Sequence, residues 1–175
     1  MLIVTQFATP DEHAERAAIT VELPYDLRKK SRLRARSLCG RELGVQLERG
    51  TELRDGQRLL ADSGEVVVIV AAAETLSSVT GDSPLALLRA AYHLGNRHVP
   101  LQVTEHWLCY QHDHVLDEMV RGLGLTVAVV NAPFQPESGA YGRHGGGHHH
   151  HHHEQGDDHG RPHSFVLASG HPHDH

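Results

Sequence analysis

The stretch SPLALLRAAYHLGNRHVP, residues 83–100, carries the start and stop signals of a helix. Ser83 can cap the first turn, and Pro84 suits the first helical position because its missing N–H would have no partner there. Gly95 is expected to supply a left-handed C-cap, and Pro100 prevents the helix from resuming. The predicted inward stripe consists of apolar residues at helical spacing, namely Leu85, Leu88 and either Ala91 or Tyr92.

Strand and helix patterns alternate on both sides of this helix. A second helix is predicted to begin at Asp113 and to end at Gly124. Its inward face is expected to comprise Leu116, Met119, Val120 and Leu123. Three strands are predicted nearby, over residues 101–105, 107–110 and 126–130. With a first strand that starts near residue 73, the order becomes β-α-β-β-α-β, which predicts an α+β ferredoxin-like domain over residues 73–143.

The first 72 residues have the pattern of a β-rich domain. Short apolar stretches with a period of two alternate with glycine-containing turns. They predict strands over residues 19–23, 33–38, 45–47 and 66–70. Residues 1–72 are therefore assigned to a domain of their own.

One strand of this first domain carries a row of positive charge. In RLRAR, residues 32–36, the alternation of side chains places Arg32, Arg34 and Arg36 on one face and Leu33 and Ala35 on the other. The simpler interpretation is a solvated face that also protects the strand from edge pairing. Docking of an acidic partner is the competing hypothesis.

Histidine is concentrated in the last part of the chain. Of 18 histidines, 12 lie between His144 and His175, and six of those form an unbroken run. Residues 144–175 have no apolar periodicity and are predicted to be disordered without metal. A run of six resembles a purification tag. The run is internal, however, and histidine continues beyond it, so the tail is interpreted as mostly native.

Charge and hydropathy exclude several classes of protein. The net charge of -6 is spread over body and tail, so neither part has the excess of basic residues that is typical of nucleic-acid binding. The longest apolar run, residues 66–73, is far shorter than the roughly 20 residues that a membrane-spanning helix needs. The N-terminus lacks the pattern of a signal peptide. We expect a cytoplasmic protein without a membrane association.

Histidine pairs point to metal chemistry. Neutral imidazole is a good ligand for Ni(II), Cu(II) and Zn(II), and chelation requires that two rings face one point. His112 and His114 lie two positions apart where a strand passes into a helix, which allows both rings to point to one side. Surface histidines near a helix N-terminus are an equally good explanation of this pair. His98 lies on the turn after the first helix, where a lone histidine is usually structural, and His93, His13 and His106 are interpreted as structural.

Three stretches in order resemble one known family, the urease accessory nickel metallochaperones (UreE). They are AYHLGNRHVPLQV (residues 91–103), HDHVLDEM (112–119) and FQPESGAY (134–141), with the histidine-rich tail behind them. The likeness is tightest over residues 73–141. Over residues 1–72 it is to the peptide-binding domain of that family.

The resemblance implies a homodimer that forms through the second domain and shares one metal ion near its two-fold axis. His98 matches the family's ligand to this shared ion, and His112 and His114 match its secondary ligands. Tail histidines are expected as auxiliary ligands, for example His144, His148, His150, His171, His173 and His175. The cargo would be Ni(II), although Zn(II) or Cu(II) can bind the same sites. The implied partners are the urease accessory GTPase and the urease apoprotein complex.

Two other functions compete with nickel delivery. A histidine-rich store or buffer of nickel or zinc would bind many ions without directed transfer. A metal hydrolase that uses His98, His112 and His114 is less well supported, because the sequence has no HExxH motif and no carboxylate pair in register with the histidines. Asp117 and Glu118 are interpreted as an exposed helix face. The sequence therefore predicts a metal carrier that is not an enzyme.

Overall fold

The computed structural model describes residues 1–9 and 18–138. The first half contains six strands and a short helix: β1 (Leu2–Phe7), β2 (Ala18–Leu23), α1 (Tyr25–Arg28), β3 (Arg32–Arg36), β4 (Glu42–Gln46), β5 (Arg58–Ala61) and β6 (Val66–Ala71). The second half contains β7 (Ala73–Thr80), α2 (Pro84–Gly95), β8 (Gln102–Val103), β9 (Trp107–Gln111), α3 (His114–Gly122) and β10 (Thr126–Pro133). Within the described ranges, no helix has the length and apolarity that a bilayer crossing needs.

The first half forms a six-stranded sheet in the order β2-β6-β5-β1-β4-β3. Its core comes from alternate strand positions, among them Val4, Val21, Leu43, Leu59 and Ile69. The β-rich character and the four predicted strands are confirmed. Strand β5 and helix α1 were not predicted, because each has only four residues and shows no clear period. Strand β1, with six residues, was not predicted either.

The arginine row lies at an edge of this sheet, because among the described strands β3 pairs only with β4. Leu33 and Ala35 pack against the core, while the three arginines on alternate positions are exposed. The predicted alternation of the two faces is confirmed. One of the arginines, Arg36, lies 3.3 Å from the Glu42 carboxylate. Docking of an acidic partner on this row stays a prediction.

The second half forms a four-stranded antiparallel sheet in the order β10-β7-β9-β8. Its elements follow the predicted order β-α-β-β-α-β and make a mixed α/β domain. Helices α2 and α3 cover one face through a cluster that includes Val79, Leu94, Leu108, Tyr110 and Val120. On the opposite face, Leu76, Cys109 and Phe134 pack with Tyr25 of α1. Each face of this sheet therefore packs against other elements over part of its area, while Val129 and Val130 of β10 remain exposed.

Helix α2 packs on a face different from the predicted one. Of the predicted inward stripe, Leu85, Leu88 and Tyr92 are 56%, 68% and 66% exposed, whereas Ala91, the predicted alternative to Tyr92, packs against the core. The fully buried residues are Ala90 and Leu94, with Ala91 half-buried beside them. The helix has apolar residues on two sides, so its periodicity does not decide which side meets the sheet.

A buried arginine connects the two sheets. Arg28 is completely buried, which is rare for this residue type. Its Nε donates to the carbonyl of Leu23 at 3.1 Å, and its Nη1 donates to Leu53 O at 3.3 Å and to Gln135 Oε1 at 2.9 Å. Its Nη2 also donates to the carbonyl of Phe134. Helix α1 is thereby joined to the chain that leaves β10.

Candidate metal-binding site

His98 lies in the turn that closes helix α2. Its backbone has φ 57°, and no other non-glycine residue in ranges 1–9 and 18–138 has a positive φ. The His98 N–H donates to Gly95 O at 2.8 Å, and the Val99 N–H donates to Leu94 O at 3.3 Å. This pair of hydrogen bonds is the Schellman motif, in which one residue after the helix must be left-handed. Val99 and Leu94 also share a hydrophobic cluster, as the motif usually requires.

The prediction that Gly95 is the left-handed cap is therefore wrong. Gly95 is the last residue of α2, and the left-handed position falls three residues later, on His98. Glycine adopts this backbone conformation freely, whereas an L-residue costs about 1 kcal/mol or more there. Histidine tolerates it better than most residues. An exposed imidazole thus occupies a position where glycine would be more stable.

His112 follows β9 and is held from two sides. Its Nδ1 lies 3.0 Å from Ser77 Oγ and 3.4 Å from Asp117 Oδ2. Ser77 is opposite Tyr110 in the β7–β9 register, so both side chains stand on the face that α3 covers. The His112 side chain keeps 36% of its surface exposed. One ring nitrogen therefore faces the protein while part of the ring remains open to solvent.

Asp117 is buried beneath this histidine. It is 2% exposed, so its assignment to an exposed helix face is wrong. Its Oδ1 accepts the Tyr110 hydroxyl at 2.8 Å, and its Oδ2 lies 3.7 Å from Arg121 Nη2. The pKa of Tyr110 is raised well above its usual range, mainly by burial and secondly by the hydrogen bond to this carboxylate. Asp117 is one turn before buried Val120, and that spacing was the signal available in the sequence.

Asp113 and His114 form the start of helix α3. Asp113 is its N-cap, and its Oδ1 accepts the N–H of Val115 at 2.8 Å and of Leu116 at 3.2 Å. This confirms the predicted start of the helix. The Asp113 backbone is extended, and His114 is exposed at the first helical position. Glu118 is exposed, as predicted.

The other histidines are dispersed. His93 makes an edge contact with the Tyr92 ring, with centroids 5.4 Å apart, and His106 is a surface residue beside Glu105. No group of three or more His, Cys, Asp or Glu side chains in the described part of the chain is arranged to hold a metal. His13 lies outside the described residues, and so do the tail histidines, including His144, His148, His150, His171, His173 and His175.

Known proteins match the chain along both halves. The N-terminal domain model of the UreE urease accessory protein matches residues 3–72, and the C-terminal domain model matches residues 74–175. The urease accessory protein UreE of Alkalilimnicola ehrlichii is 60% identical over 126 residues, which are 72% of this chain and 77% of that protein. The protein of the same name from Proteus mirabilis is 54% identical over 128 residues, 73% of this chain and 80% of the relative.

Proposed function

Since the chain belongs to the family of UreE urease accessory proteins, we propose that it binds Ni(II) through histidine and delivers the ion for assembly of the urease nickel centre. It acts as a carrier, so nickel is its cargo. Two copies of the chain share one ion, and each copy contributes its His98 as a ligand. His112 and His114 are secondary ligands, and tail histidines complete the coordination of the ion.

The backbone of His98 is the observation that carries this proposal. A left-handed non-glycine residue at an exposed turn has a conformational cost, and such residues concentrate at functional sites. Glycine would satisfy the Schellman motif at lower cost. Retention of an imidazole there is explained if the ring binds an ion.

The exposed face of α2 supports a homodimer. Leu85, Leu88 and Tyr92 lie three and four residues apart, so their side chains share one side of the helix. A contiguous exposed apolar surface of this kind is typical of a protein interface. We propose that a second copy covers it. A two-fold axis then brings together one His98 from each chain, so one histidine supplies two ligands.

Substitution of Leu88 tests the dimer. Leu88→Glu should convert the dimer into a monomer, because a carboxylate would be buried against a second apolar face. The control is Leu38→Glu. Leu38 is equally exposed, at 68%, but it belongs to the first half of the chain, where it follows strand β3. Light scattering measures the mass of each variant. Two variants that both remain dimers would exclude this face as the interface.

Exchange of the ion is a requirement for a carrier. With an association rate of about 10⁶ M⁻¹s⁻¹, a Kd near 1 μM allows release in about a second, whereas 1 pM implies days. Two imidazoles leave further positions on nickel for water or for tail histidines, so the coordination can be exchanged. Because only neutral imidazole binds metal, nickel affinity should fall below about pH 6. Unchanged affinity at pH 5.5 would contradict ligation by imidazole.

Truncation separates delivery from storage. Storage is the second candidate, because 12 of the 18 histidines lie in the tail. Nickel is titrated by calorimetry and dialysis into the full chain and into a chain that ends at Tyr141. A carrier should keep one site per dimer with a Kd of about 1 μM after truncation. Loss of all binding would identify a buffer that works through its tail.

Directed transfer requires partners. We propose that the urease accessory GTPase and the urease apoprotein complex receive the ion. The nickel-loaded chain is mixed with each partner, and co-purification and nickel content are measured. Nickel should move to the partner faster than into a chelator of equal affinity. Absence of complex formation both with and without nickel would refute delivery. Zn(II) and Cu(II) are tested in parallel, because nitrogen ligands bind them as well.

A further inference from the structure

Asp117, Tyr110 and Ser77 form a polar cluster behind His112, and the proposed nickel site gives none of the three a role. We infer that Asp117 is a positioning residue, which holds His112 with a proton on Nδ1 so that Nε2 is free to bind the ion. This inference rests on the proposed function, because it assigns a role to one of the proposed ligands. The added residue, Asp117, contacts the proposed ligand His112 and does not contact the metal.

The first argument is the burial of the carboxylate. Asp117 is 2% exposed, and a buried carboxylate is costly unless it accepts hydrogen bonds. Tyr110 supplies one donor, to Oδ1 at 2.8 Å. Around Oδ2 lie the Arg121 Nη2 at 3.7 Å and the His112 Nδ1 at 3.4 Å. The nearest group to Nδ1 is the Ser77 hydroxyl, whose Oγ lies at 3.0 Å and can either accept or donate a hydrogen bond. A carboxylate beside the same nitrogen only accepts hydrogen bonds, so it favours the His112 tautomer that carries its proton on Nδ1.

The second argument is the rigidity of the support. Tyr110 and Ser77 lie on paired strands, and both are completely buried. Asp117 lies in the first turn of α3, where its N–H donates to the carbonyl of Asp113 at 2.9 Å. Two strands and a capped helix therefore fix the groups around Nδ1. A metal-binding histidine usually donates its other N–H to such a carboxylate, and removal of that partner typically lowers affinity 10- to 100-fold.

The exchange of one atom tests the role. Asp117→Asn keeps the size of the side chain and can still accept the Tyr110 hydroxyl, but its amide donates toward Nδ1. Nδ1 then becomes the acceptor, and the proton moves to Nε2, where the ion would bind. Glu118→Gln is the matched control, because it makes the same change at the next residue on the exposed side of α3.

The readout is the ¹⁵N spectrum of the histidine rings in the full-length chain. Without metal, His112 should be the Nδ1–H tautomer in the wild type and in Glu118→Gln, and mainly the Nε2–H tautomer in Asp117→Asn. Ni(II) is then added, and paramagnetic broadening of the His112 signals is followed. Asp117→Asn should need at least about tenfold more nickel for the same broadening. This readout is specific to one ring, so binding by the tail does not hide it.

Three outcomes would overturn the proposal. An Nε2–H tautomer in the wild type does so without any variant, which keeps the test valid if Asp117→Asn fails to fold. An equal effect of Glu118→Gln does so as well. A His112 that nickel leaves unperturbed while the His98 signals broaden removes the role of the cluster and leaves the shared-site function intact. Failure of nickel to affect His98 would instead count against the proposed function itself.

Discussion

The turn after α2 and the turn before α3 each present a histidine, but they hold it by different means. His98 is positioned by the backbone alone, through a Schellman motif that forces it into the left-handed region. His112 is positioned through its side chain, by a buried carboxylate and a serine hydroxyl. A ring held by its backbone can still rotate about its side-chain bonds, whereas a ring held at Nδ1 keeps one orientation. We interpret the first as an exchangeable shared ligand and the second as a preset auxiliary one.

Loss of each imidazole should produce the largest difference between the two turns. In the chain that ends at Tyr141, His98→Gly should lower nickel affinity by more than about 100-fold, because it removes two ligands from each dimer. His112→Ala should lower it by about tenfold, because secondary ligands only add to that site. Calorimetry at pH 7.5 measures both. Glycine is chosen at position 98 because it keeps the turn without strain.

The opposite order would invert the assignment of roles. If His112→Ala abolished binding while His98→Gly left it unchanged, the primary site would lie at α3. His93→Ala serves as the control, because His93 lies near the end of α2, the helix that His98 follows, and is not a proposed ligand. It should bind nickel as the wild type does.

Loss of a tyrosine hydroxyl should reduce stability more in the pocket behind His112 than on the exposed face of α2. Tyr110→Phe keeps the shape of the side chain but leaves the buried Asp117 carboxylate without its hydroxyl donor. The free energy of unfolding should fall by about 1–3 kcal/mol. Tyr92→Phe removes the same atom from a side chain that is 66% exposed, and it should change stability by less than about 0.5 kcal/mol. Denaturant unfolding of both variants, at one protein concentration, measures the difference.

Alkaline unfolding gives the same pocket a second signature. Burial raises the pKa of Tyr110 in the folded state, so the neutral form of this side chain stabilises the fold. The stabilisation is complete below the pKa that tyrosine has in the unfolded chain, near 10. That stability is lost as pH rises above 10, since the unfolded chain then releases the proton more readily. The decrease in unfolding free energy between pH 9 and 11 should therefore be smaller in Tyr110→Phe than in the wild type. Equal decreases would show that Tyr110 does not contribute to it.

Local signals in the sequence were sufficient for the helix starts but not for the helix faces. Ser83 caps α2 by accepting the N–H of Ala86, and Asp113 caps α3, because a cap depends only on residues within one turn. The side of α2 that meets the sheet was predicted wrongly except at Ala91, since the helix has apolar residues on two sides. The spacing of Asp117 to Val120 places it on the inward side of α3, but the Tyr110 hydroxyl that donates to its carboxylate comes from another element, and no local pattern contains that contact.

The position of the left-handed residue can be tested by stability alone, and the expected effects are the smallest. Gly95 is helical, and a Cβ added there would meet no atom within 4 Å. Gly95→Ala should therefore stabilise the fold by up to about 0.5–1 kcal/mol, because alanine loses less conformational freedom than glycine when it adopts helical backbone angles. His98→Gly should stabilise it by about 1 kcal/mol, because it relieves the left-handed cost. Both are measured by denaturant unfolding with chelator present, since bound metal would add its own stabilisation. If Gly95 were the left-handed cap, alanine there would destabilise the fold instead, and His98→Gly would give no gain. Stabilisation by both changes would show that the chain keeps a less stable residue at the position where we propose that nickel binds.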